Sequence, residues 1–304
     1  MLSLKEYLHI FGSWKLTKRY ICFKFPFLFS DKQAIMVFWD LRMDYPLNLE
    51  NPQTFNEKLQ WMKLYDRKDL YTTLVDKYAV KEYVSQKIGS EYIIPTIGVW
   101  NKVKEIDWDN LPQSFVLKCT HDSGGLVICR DKKFLDIHSA SNKLDKSLKT
   151  DYYKLGREWV YKNVPHRIIA EQFMEDKETG ELRDYKFFCF NGRVKWLFIA
   201  TDRQNREEPY FDFFDMDFNH LPIKSGHPNS PKTPEKPKCF EEMKSIAATL
   251  SKGLPHIRVD LYEVNGKVYF GELTFYHHAG TVPFEPKEWD YIFGKEIELP
   301  TSDK

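Results

Sequence analysis

The stretch from Phe115 to Cys129 constrains the fold more than any other part of the sequence. Two short apolar runs flank a polar turn that contains Gly124 and Gly125, which is typical of a strand, a loop and a return strand. Lys118 is the charged residue inside the first run. A lysine on a buried strand is costly without an anion, and glycines let backbone N–H groups approach phosphate oxygens, so we interpret the stretch as a nucleoside triphosphate grip. The alternative is an ordinary hairpin whose lysine reaches solvent.

Length and charge set the broad class of the protein. A chain of 304 residues can bury a substantial core as one large domain or two lobes. Its 45 basic and 44 acidic residues give a net charge of +1, so no overall field attracts nucleic acid and we expect no nucleic-acid partner. Five cysteines without paired spacing predict a reducing compartment, the cytoplasm, instead of a disulfide scaffold or a zinc site. No run approaches the length of a transmembrane helix, and no secretory leader is expected.

Residues 1–70 are predicted to form an N-terminal helical extension. Within them, residues 1–30 mix basic side chains with Leu, Ile, Phe, Trp and Tyr. This mixture is typical of an amphipathic helix that packs on the protein body, and we favour that interpretation. The alternative is a weak contact with an anionic membrane surface at the cytoplasmic face.

Further helices are predicted from apolar periodicity. Thr54 and Glu57 have the spacing of a capping box, which predicts that a helix begins there. A second, continuous helix is predicted over about residues 70–88, with Lys77 off its apolar stripe. Such a lysine is expected to be solvated unless its context says otherwise. Residues 132–163 are also expected to be helical.

Two hairpins are predicted in the second half of the chain. Asn191-Gly192 and Asn265-Gly266 each separate two runs of β-branched and aromatic residues, and this dipeptide is a strong signal for a two-residue hairpin turn. The other predicted elements are strands at 96–100 and 167–174, a proline-rich loop near a substrate at 219–238, and a helix at 240–250.

The second hairpin carries a candidate metal site. If its loop has the three-residue, bulged form, Asp260 and Glu272 lie opposite each other on one face of the hairpin. A strict two-residue loop would shift the register and place them on opposite faces. Facing carboxylates repel unless a cation lies between them, and Mg²⁺ is commonly held by one or two carboxylates plus substrate phosphates. The competing interpretation is a solvated pair of surface acids.

These features occur in an order that resembles the ATP-grasp superfamily: a lysine before a glycine loop, a strand that ends in polar residues, and a late hairpin with two carboxylates. Within the superfamily the sequence is similar to the TupA-like branch, found in bacterial surface-polysaccharide gene clusters. The resemblance covers roughly residues 50–298, and the segment from Asn51 to Trp61 resembles the branch's own signature. It implies an α+β ATP-grasp fold in which two α+β lobes, residues 71–170 and 171–304, grip ATP between antiparallel sheets.

The resemblance also implies that ATP and Mg²⁺ are the cofactors, and it assigns nucleotide contacts to individual positions. The implied contacts are Lys77 and Lys118 at the phosphates, Ser123, Gly124 and Gly125 in the lid loop, Glu171, Gln172, Phe173 and Met174 at the adenine hinge, and Glu175 or Asp176 at the ribose.

The metal and catalytic residues implied by the resemblance lie further along the chain. Asp260 and Glu272 match the magnesium carboxylates, including their twelve-residue spacing. The usual Glu-x-Asn is here Glu272-Leu273-Thr274, and a threonine hydroxyl is a poorer metal ligand than an amide oxygen. We therefore expect a reduced or rearranged second magnesium site. The residues assigned to catalysis are Lys186, Arg203 and Arg258.

The function implied by the resemblance is an ATP-dependent carboxylate–amine ligase. Its expected substrates are ATP and a sugar acid or amino acid, and a carbohydrate on a carrier is a further candidate. The alternative is a metal-dependent glycosyltransferase, because Asp215-Met216-Asp217 has the Asp-x-Asp form, although a turn between strands explains that match better. A binding protein without catalytic activity is the third hypothesis, and the paired lysines and carboxylates argue against it. His277 and His278 are interpreted equally well as substrate contacts or as structural residues.

Overall fold

The computed structural model describes residues 12–202 and 208–300, which form helices and antiparallel sheets. This confirms the α+β class. The strands are β1 (Thr96–Trp100), β2 (Phe115–Cys119), β3 (Leu126–Cys129), β4 (Ile168–Gln172), β5 (Asp184–Phe190), β6 (Arg193–Thr201), β7 (Tyr210–Asp215), β8 (His220–Leu221), β9 (Lys224–Ser225), β10 (Ile257–Val264), β11 (Lys267–Thr274) and β12 (Phe284–Glu285).

Two sheets of different size organise these strands. The small sheet has the order β1-β4-β2-β3, and the large sheet has the order β11-β10-β5-β6-β7-β8. Strands β9 and β12 form a separate two-stranded ribbon. The neighbouring strands within each sheet run antiparallel. Each sheet therefore needs a cover of helices on its apolar face, since one face of an antiparallel sheet packs on a core.

The helices supply that cover. One helix, α6, packs on the small sheet, and α8 packs on the large sheet. Across the described residues, none of the helices has the length and apolar composition that a membrane span requires. The helices are α1 (Trp14–Lys24), α2 (Asp31–Arg42), α3 (Phe55–Tyr65), α4 (Asp69–Val75), α5 (Ala79–Ile88), α6 (Ile137–Leu148), α7 (Tyr153–Gly156), α8 (Phe240–Leu250) and α9 (Glu288–Glu296).

The capping box that begins α3 is confirmed. The Thr54 side chain accepts a hydrogen bond from the Glu57 backbone N–H at 3.1 Å, and the Glu57 carboxylate accepts one from the Thr54 N–H at 3.0 Å. Phe55 and Leu59 of this helix are fully buried in the core of the large sheet. Helix α3 therefore packs in the core of the large sheet. The domain boundary at residue 70 stays a prediction. Helices α1 and α2 form a small core of their own.

The prediction of one continuous helix over residues 70–88 is wrong. The helix breaks at Asp76, whose carboxylate accepts hydrogen bonds from the backbone N–H groups of Tyr78 at 2.9 Å and Ala79 at 3.3 Å. Its other oxygen pairs with the Arg167 guanidinium at 2.5 Å. Aspartate competes with helical hydrogen bonding in this way. The break leaves Lys77 between two helices instead of on a solvated helix face.

The helical prediction for residues 132–163 is correct for α6 and α7 and for two 3₁₀ turns, Lys132–Phe134 and Trp159–Tyr161, but these elements do not form one continuous helix. Helix α7 ends where Arg157 adopts a left-handed conformation with φ of 52°. Its guanidinium donates to the Pro26 carbonyl at 2.7 Å, so a contact with the N-terminal extension overrides the helical pattern.

Both Asn-Gly hairpins are confirmed. In the second hairpin, the pairing of Asp260 with Glu272 depends on a bulge in the strand and not on the form of the loop. Asn265 and Gly266 have φ of 53° and 73°, and Val264 pairs with Lys267, so the loop has the strict two-residue form. A β-bulge at Gly271 nevertheless brings Asp260 opposite Glu272. A Cβ on Gly271 would lie 2.9 Å from the Asp260 carbonyl oxygen, so glycine permits the close approach.

Candidate active site

A cleft lies between the small sheet and the large sheet. Its walls come from β2, β3 and β4 on one side and from β5, β10 and β11 on the other, together with the segments that follow β2 and β4. The predicted site residues that line it are Lys77, Lys118, Ser123, Gly125, Glu171, Gln172, Phe173, Met174, Lys186 and Glu272.

The wall from the small sheet combines an apolar surface with a cation. Val116 and Lys118 are two positions apart in β2 and therefore lie on the same face of the strand. They pair with Ile128 and Leu126 of β3, and all four residues line the cleft. The sequence analysis missed the apolar three, although the period-two pattern around Lys118 contained the signal. The arrangement offers an apolar surface to a planar ring beside a positive charge.

Glu171 holds two lysines at this wall, and we call Lys81, Lys118 and Glu171 the lysine cluster. The Glu171 carboxylate is buried, and its two oxygens lie 2.6 Å from the Nζ atoms of Lys81 and Lys118. Burial would raise the pKa of Glu171, but Lys118 and Lys81 lower it more, and the pKa lies below its usual value. Lys81 was missed by the sequence analysis, although it follows Lys77 by four residues. Glu171 thus serves as the counter-anion of Lys81 and Lys118.

The glycine loop is held in shape by Asp122. Its carboxylate accepts from the Gly125 N–H at 3.1 Å and from the Ser147 hydroxyl, and its carbonyl accepts from the Lys77 ammonium. A Cβ on Gly125 would lie 2.3 Å from the Ser147 oxygen, so only glycine fits there. The Ser123 hydroxyl lies 3.0 Å from the Tyr152 hydroxyl. Lys77 and the loop are therefore brought together at one end of the cleft.

A second charged group lies under the opposite wall, and we call Arg258, Lys186 and Asp260 the arginine cluster. Arg258 donates to the two Asp260 oxygens at 2.7 Å and 2.8 Å, and the Lys186 ammonium also binds Asp260. Burial would raise the pKa of Asp260, but Arg258 and Lys186 hold that pKa at about 2. Asp184 adds a further carboxylate oxygen, 3.4 Å from the Lys186 Nζ. The cluster is rigid because the guanidinium binds Asp260 through two parallel hydrogen bonds.

The candidate magnesium ligands adjoin this cluster. Glu272 faces the cleft with 41% of its side chain exposed, and one of its oxygens accepts from Thr274 at 3.2 Å and lies 3.5 Å from Arg258. Within residues 12–202 and 208–300, no three His, Cys, Asp or Glu side chains form a group able to hold a metal alone. Mg²⁺ commonly needs only one or two carboxylates when phosphates complete its coordination. Glu272 fits that requirement at the cleft, whereas the facing Asp260 is wholly buried, does not line the cleft and binds Arg258 and Lys186 with its two oxygens.

Several predicted residues lie outside the cleft lining. Gly124 is in the loop without lining the cleft, and Glu175 pairs with Arg130. The Asp176 carboxylate accepts from the backbone N–H groups of Thr179 at 2.9 Å and Asn265 at 2.7 Å, so it ties its own turn to the second hairpin. The ribose role of Asp176 stays a prediction. Arg203 lies outside the described residues.

The two histidines after β11 are buried beside the arginine cluster. The His277 Nδ1 lies 3.0 Å from an Arg258 Nη1, and burial lowers the pKa of His277 well below its usual value. A neutral imidazole can accept a hydrogen bond from the guanidinium, which supports the structural interpretation for His277. Burial likewise lowers the pKa of His278 to about 3.

The Asp-x-Asp motif forms a turn. The Asp215 carboxylate accepts from the backbone N–H groups of Asp217 at 3.0 Å and Asn219 at 2.8 Å. Asp217 is exposed, and neither aspartate lines the cleft. The motif therefore connects β7 to β8 in the way that the turn interpretation predicted.

A family model matches most of the chain. The model of the family described as TupA-like ATPgrasp matches residues 57–298. No curated protein matches the chain. Among solved structures, the chain is similar to a D-alanine–D-alanine ligase from Helicobacter pylori, with 14% identity, a TM-score of 0.46, and coverage of 81% of this chain and 69% of that chain. It is similar to a D-alanine–D-alanine ligase from Bacillus anthracis complexed with ATP, with 16% identity, a TM-score of 0.39, and coverage of 67% of this chain and 55% of that chain. It is also similar to N5-carboxyaminoimidazole synthase from Aspergillus clavatus, with 10% identity, a TM-score of 0.38, and coverage of 82% of this chain and 52% of that chain.

Proposed function

The chain belongs to the TupA-like ATP-grasp family and is an ATP-grasp ligase, and we propose that it joins a carboxylate to an amine in a reaction driven by ATP. The observation that supports this proposal is the cleft between the sheets. It combines lysines and a glycine loop on one wall with a lysine and a carboxylate on the other. Charges of both signs at such a cleft suit a nucleoside triphosphate and its metal ion.

The proposed reaction has two steps. A carboxylate oxygen attacks the γ-phosphorus of ATP, the bond from that phosphorus to the bridging oxygen breaks, and ADP leaves. The amine nitrogen then attacks the acyl carbon, inorganic phosphate leaves and a proton is released from the nitrogen. Both steps shift negative charge among phosphate oxygens, so the protein has to neutralise charge and hold the reactants in line.

We assign Lys77 and Lys118 to the phosphates of ATP. Lys118 can exchange Glu171 for a phosphate because Lys81 remains paired with Glu171 at 2.6 Å. The exchange leaves no buried carboxylate without a counter-charge, which would otherwise be strongly unfavourable. Backbone groups of residues 172–174 are assigned to the adenine, beside the apolar surface of β2 and β3.

Lys186, which lines the cleft, is assigned to the reacting phosphoryl oxygens, and Arg258, which lies beneath that wall, is assigned to charge support of the same end of the cleft. Lys186 can turn toward an anion in the cleft because Arg258 keeps Asp260 paired through two hydrogen bonds. Once Lys186 has turned away, the Asp260 oxygen that it bound has a lone pair available, and Asp260, Glu272 and Thr274 would together hold Mg²⁺. The ion, when bound, supplies charge neutralisation at the phosphates. The catalytic role of Arg203 remains part of the proposal.

We propose further that the carboxylate substrate is a sugar acid or an amino acid in the biosynthesis of a bacterial surface polysaccharide. This finer assignment rests on the family alone. The experiment that tests the function is incubation of the purified chain with ATP, Mg²⁺ and pools of sugar acids and amino acids, followed by identification of the nucleotide product. ADP supports the ligase. Release of UDP or a related diphosphate from sugar nucleotides would support the glycosyltransferase alternative.

The N-terminal helices support a peripheral location at the cytoplasmic face of a membrane. Trp14 is 76% exposed and Phe27 is 80% exposed, and the basic residues Lys15 and Lys18 are exposed beside them. Exposed aromatic and basic side chains together favour an anionic lipid surface. We expect weak sedimentation with phosphatidylglycerol vesicles and none with phosphatidylcholine. The double variant Trp14→Ala/Phe27→Ala should lose it, whereas Phe134→Ala, which removes an equally exposed aromatic ring elsewhere, should not.

A further inference from the structure

A second cavity lies between the N-terminal helices and the body of the chain. It has a volume of about 280 Å³. Phe23 of α1, Phe38 and Leu41 of α2, and Leu155 of α7 give it an apolar wall. Its α1 and α2 wall comes from the part of the chain that precedes the matched family segment. The cavity therefore lies between the matched segment and the two helices that precede it.

The deep end of the cavity carries a carboxylate without a hydrogen-bond donor. Glu158 lines the cavity and is 8% exposed. Its Oε1 lies 3.0 Å from the position that a Cβ on Gly156 would occupy. In the part of the chain that the structure describes, no group donates a hydrogen bond to the Glu158 side chain. A buried carboxylate in this state is unfavourable unless a cationic guest joins it.

Lys63, the neighbouring cation, cannot satisfy Glu158. The Lys63 ammonium donates to the Gln60 side-chain oxygen at 3.0 Å and to the carbonyls of Gly156 at 2.9 Å and Ala279 at 2.8 Å. An ammonium has three N–H donors, so these contacts use all of them. Lys63 therefore contributes positive potential to the cavity. It does not donate a hydrogen bond to the Glu158 carboxylate.

Two arginines supply the opposite charge. Arg19 of α1 and Arg42 of α2 line the same cavity and are exposed. Arg42 uses one Nη1–H on the Thr281 hydroxyl at 3.3 Å, and a guanidinium has five N–H donors. Arginine stays charged at every physiological pH and binds carboxylates through paired hydrogen bonds. One cavity thus offers a carboxylate at its deep end and guanidinium groups from the N-terminal helices.

The cavity adjoins the cleft. Tyr152 lines the cavity, and its hydroxyl lies 3.0 Å from the hydroxyl of Ser123, which lines the cleft. The segment His277–Gly280 makes a second connection, because His277 contacts Arg258 while Ala279 lines the cavity. The Tyr152 side chain therefore lies between the cavity and the glycine loop, and the His277–Gly280 segment lies between the cavity and the arginine cluster.

We propose that this cavity binds the amine substrate of the ligase, and that this substrate is a free α-amino acid whose ammonium group pairs with Glu158 and whose carboxylate pairs with Arg42 and Arg19. The proposal rests on the ligase function proposed above. A zwitterion suits the cavity because its two charges match the two ends, and the apolar wall accommodates an aliphatic or aromatic side chain.

The ionisation of Glu158 agrees with this assignment. Burial raises the pKa of Glu158 to about 7, while Lys63 opposes the shift. An ammonium guest favours the ionised carboxylate and lowers that pKa again. Binding should therefore be measured at pH 8, where Glu158 is mostly ionised before the guest arrives.

The test is saturation-transfer NMR on the full chain without ATP, with a pool of proteinogenic L-amino acids and a matched pool of amines that lack the α-carboxylate. The structure predicts signals from amino acids and weaker signals from the amines. Glu158→Gln should weaken amino-acid binding about ten- to a hundredfold, the usual effect of losing a hydrogen bond to a charged group. Arg42→Ala should reduce the preference for amino acids over the matched amines. Glu235→Gln, which alters an exposed carboxylate, should change neither.

Either of two results overturns the inference: no amino acid binds the wild-type chain, or each of Glu158→Gln and Arg42→Ala that folds binds amino acids as the wild type does. Arg42 is exposed, so its variant keeps the test valid even if Glu158→Gln does not fold. ATP binding is measured separately by calorimetry. A chain that binds amino acids but no ATP would refute the ligase proposal and support this cavity as a binding site.

Discussion

The lysine cluster and the arginine cluster both neutralise a buried carboxylate, but they differ in how firmly their cations are held. Each holds a buried carboxylate, Glu171 or Asp260, between two cations. In the lysine cluster the cations are flexible and partly exposed, with 12% of the Lys81 and 22% of the Lys118 side chain accessible. In the arginine cluster, Arg258 and Lys186 are each 9% exposed and Asp260 is wholly buried.

The difference separates binding from positioning. A lysine makes a point contact and can leave its carboxylate for a phosphate, whereas a guanidinium that binds both oxygens of a carboxylate is fixed in orientation. The lysine cluster is therefore suited to receive a nucleotide, and the arginine cluster is suited to keep a carboxylate and a cation in place at the reacting end. If this comparison is correct, the two clusters should respond differently to the loss of one member.

The largest effect is expected for Asp260→Asn. The variant leaves the Arg258 guanidinium and the Lys186 ammonium buried without their shared counter-charge, and breaking a buried pair in this way costs about 3–5 kcal/mol. Urea denaturation should show that loss, and ADP production should also disappear. Asp217→Asn, at an exposed turn position, is the matched control and should match the wild type in both measurements. An Asp260→Asn chain of normal stability would remove the structural role assigned to the arginine cluster.

Glu272→Gln should separate activity from stability. Glu272 is 41% exposed in its side chain and faces the cleft, so the neutral variant loses a magnesium ligand without creating a buried charge. We expect turnover to be nearly abolished at saturating Mg²⁺ while the urea midpoint does not fall. ADP release by the variant at a near-normal rate would rule out Glu272 as a metal ligand and most of the proposed mechanism with it.

Lys118→Ala probes the lysine cluster. Loss of a charge-assisted phosphate contact commonly removes about 1.5–3 kcal/mol, so ATP affinity measured by calorimetry should fall roughly ten- to a hundredfold. The fold should persist, because Lys81 still pairs with Glu171 at 2.6 Å. Lys143→Ala, on the exposed face of α6, should leave affinity unchanged. Unaltered ATP affinity in Lys118→Ala would mean that Lys118 serves only as a partner of Glu171.

The comparison also shows what the sequence can predict. The capping box of Thr54 and both Asn-Gly turns were predicted correctly, because each depends on residues within a few positions of one another. The facing pair Asp260 and Glu272 was predicted under the wrong loop form, since the bulge at Gly271 restores a register that the two-residue turn would have lost. Local patterns therefore identified the hairpin and left its register open.

The parts of the site that were missed depend on contacts distant in sequence. Lys81 pairs with Glu171, which lines the cleft and belongs to a different element, and no local pattern links the two. The helix break beside Lys77 is held by Asp76 and Arg167, which are 91 residues apart. Apolar periodicity cannot detect such a pair, because it reports which face is buried and not which tertiary partner interrupts a helix.

The smallest effect concerns pH and tests the arginine cluster directly. The folded pKa of Asp260, about 2, lies below its unfolded value of about 3.9. Its stabilising contribution is therefore fully present above about pH 5 and is lost progressively as pH falls through 2.

Between pH 4.5 and pH 3 the linkage relation gives a loss of about 1 kcal/mol from this residue. The free energy of unfolding should consequently fall by about that much more in the wild type than in Asp260→Asn over the same interval. Urea titrations at the two pH values measure both slopes, and the other carboxylates cancel because they are common to both chains. Parallel pH dependences would mean that Asp260 titrates normally, and the contrast between a fixed and an exchangeable cluster would then lose its electrostatic basis.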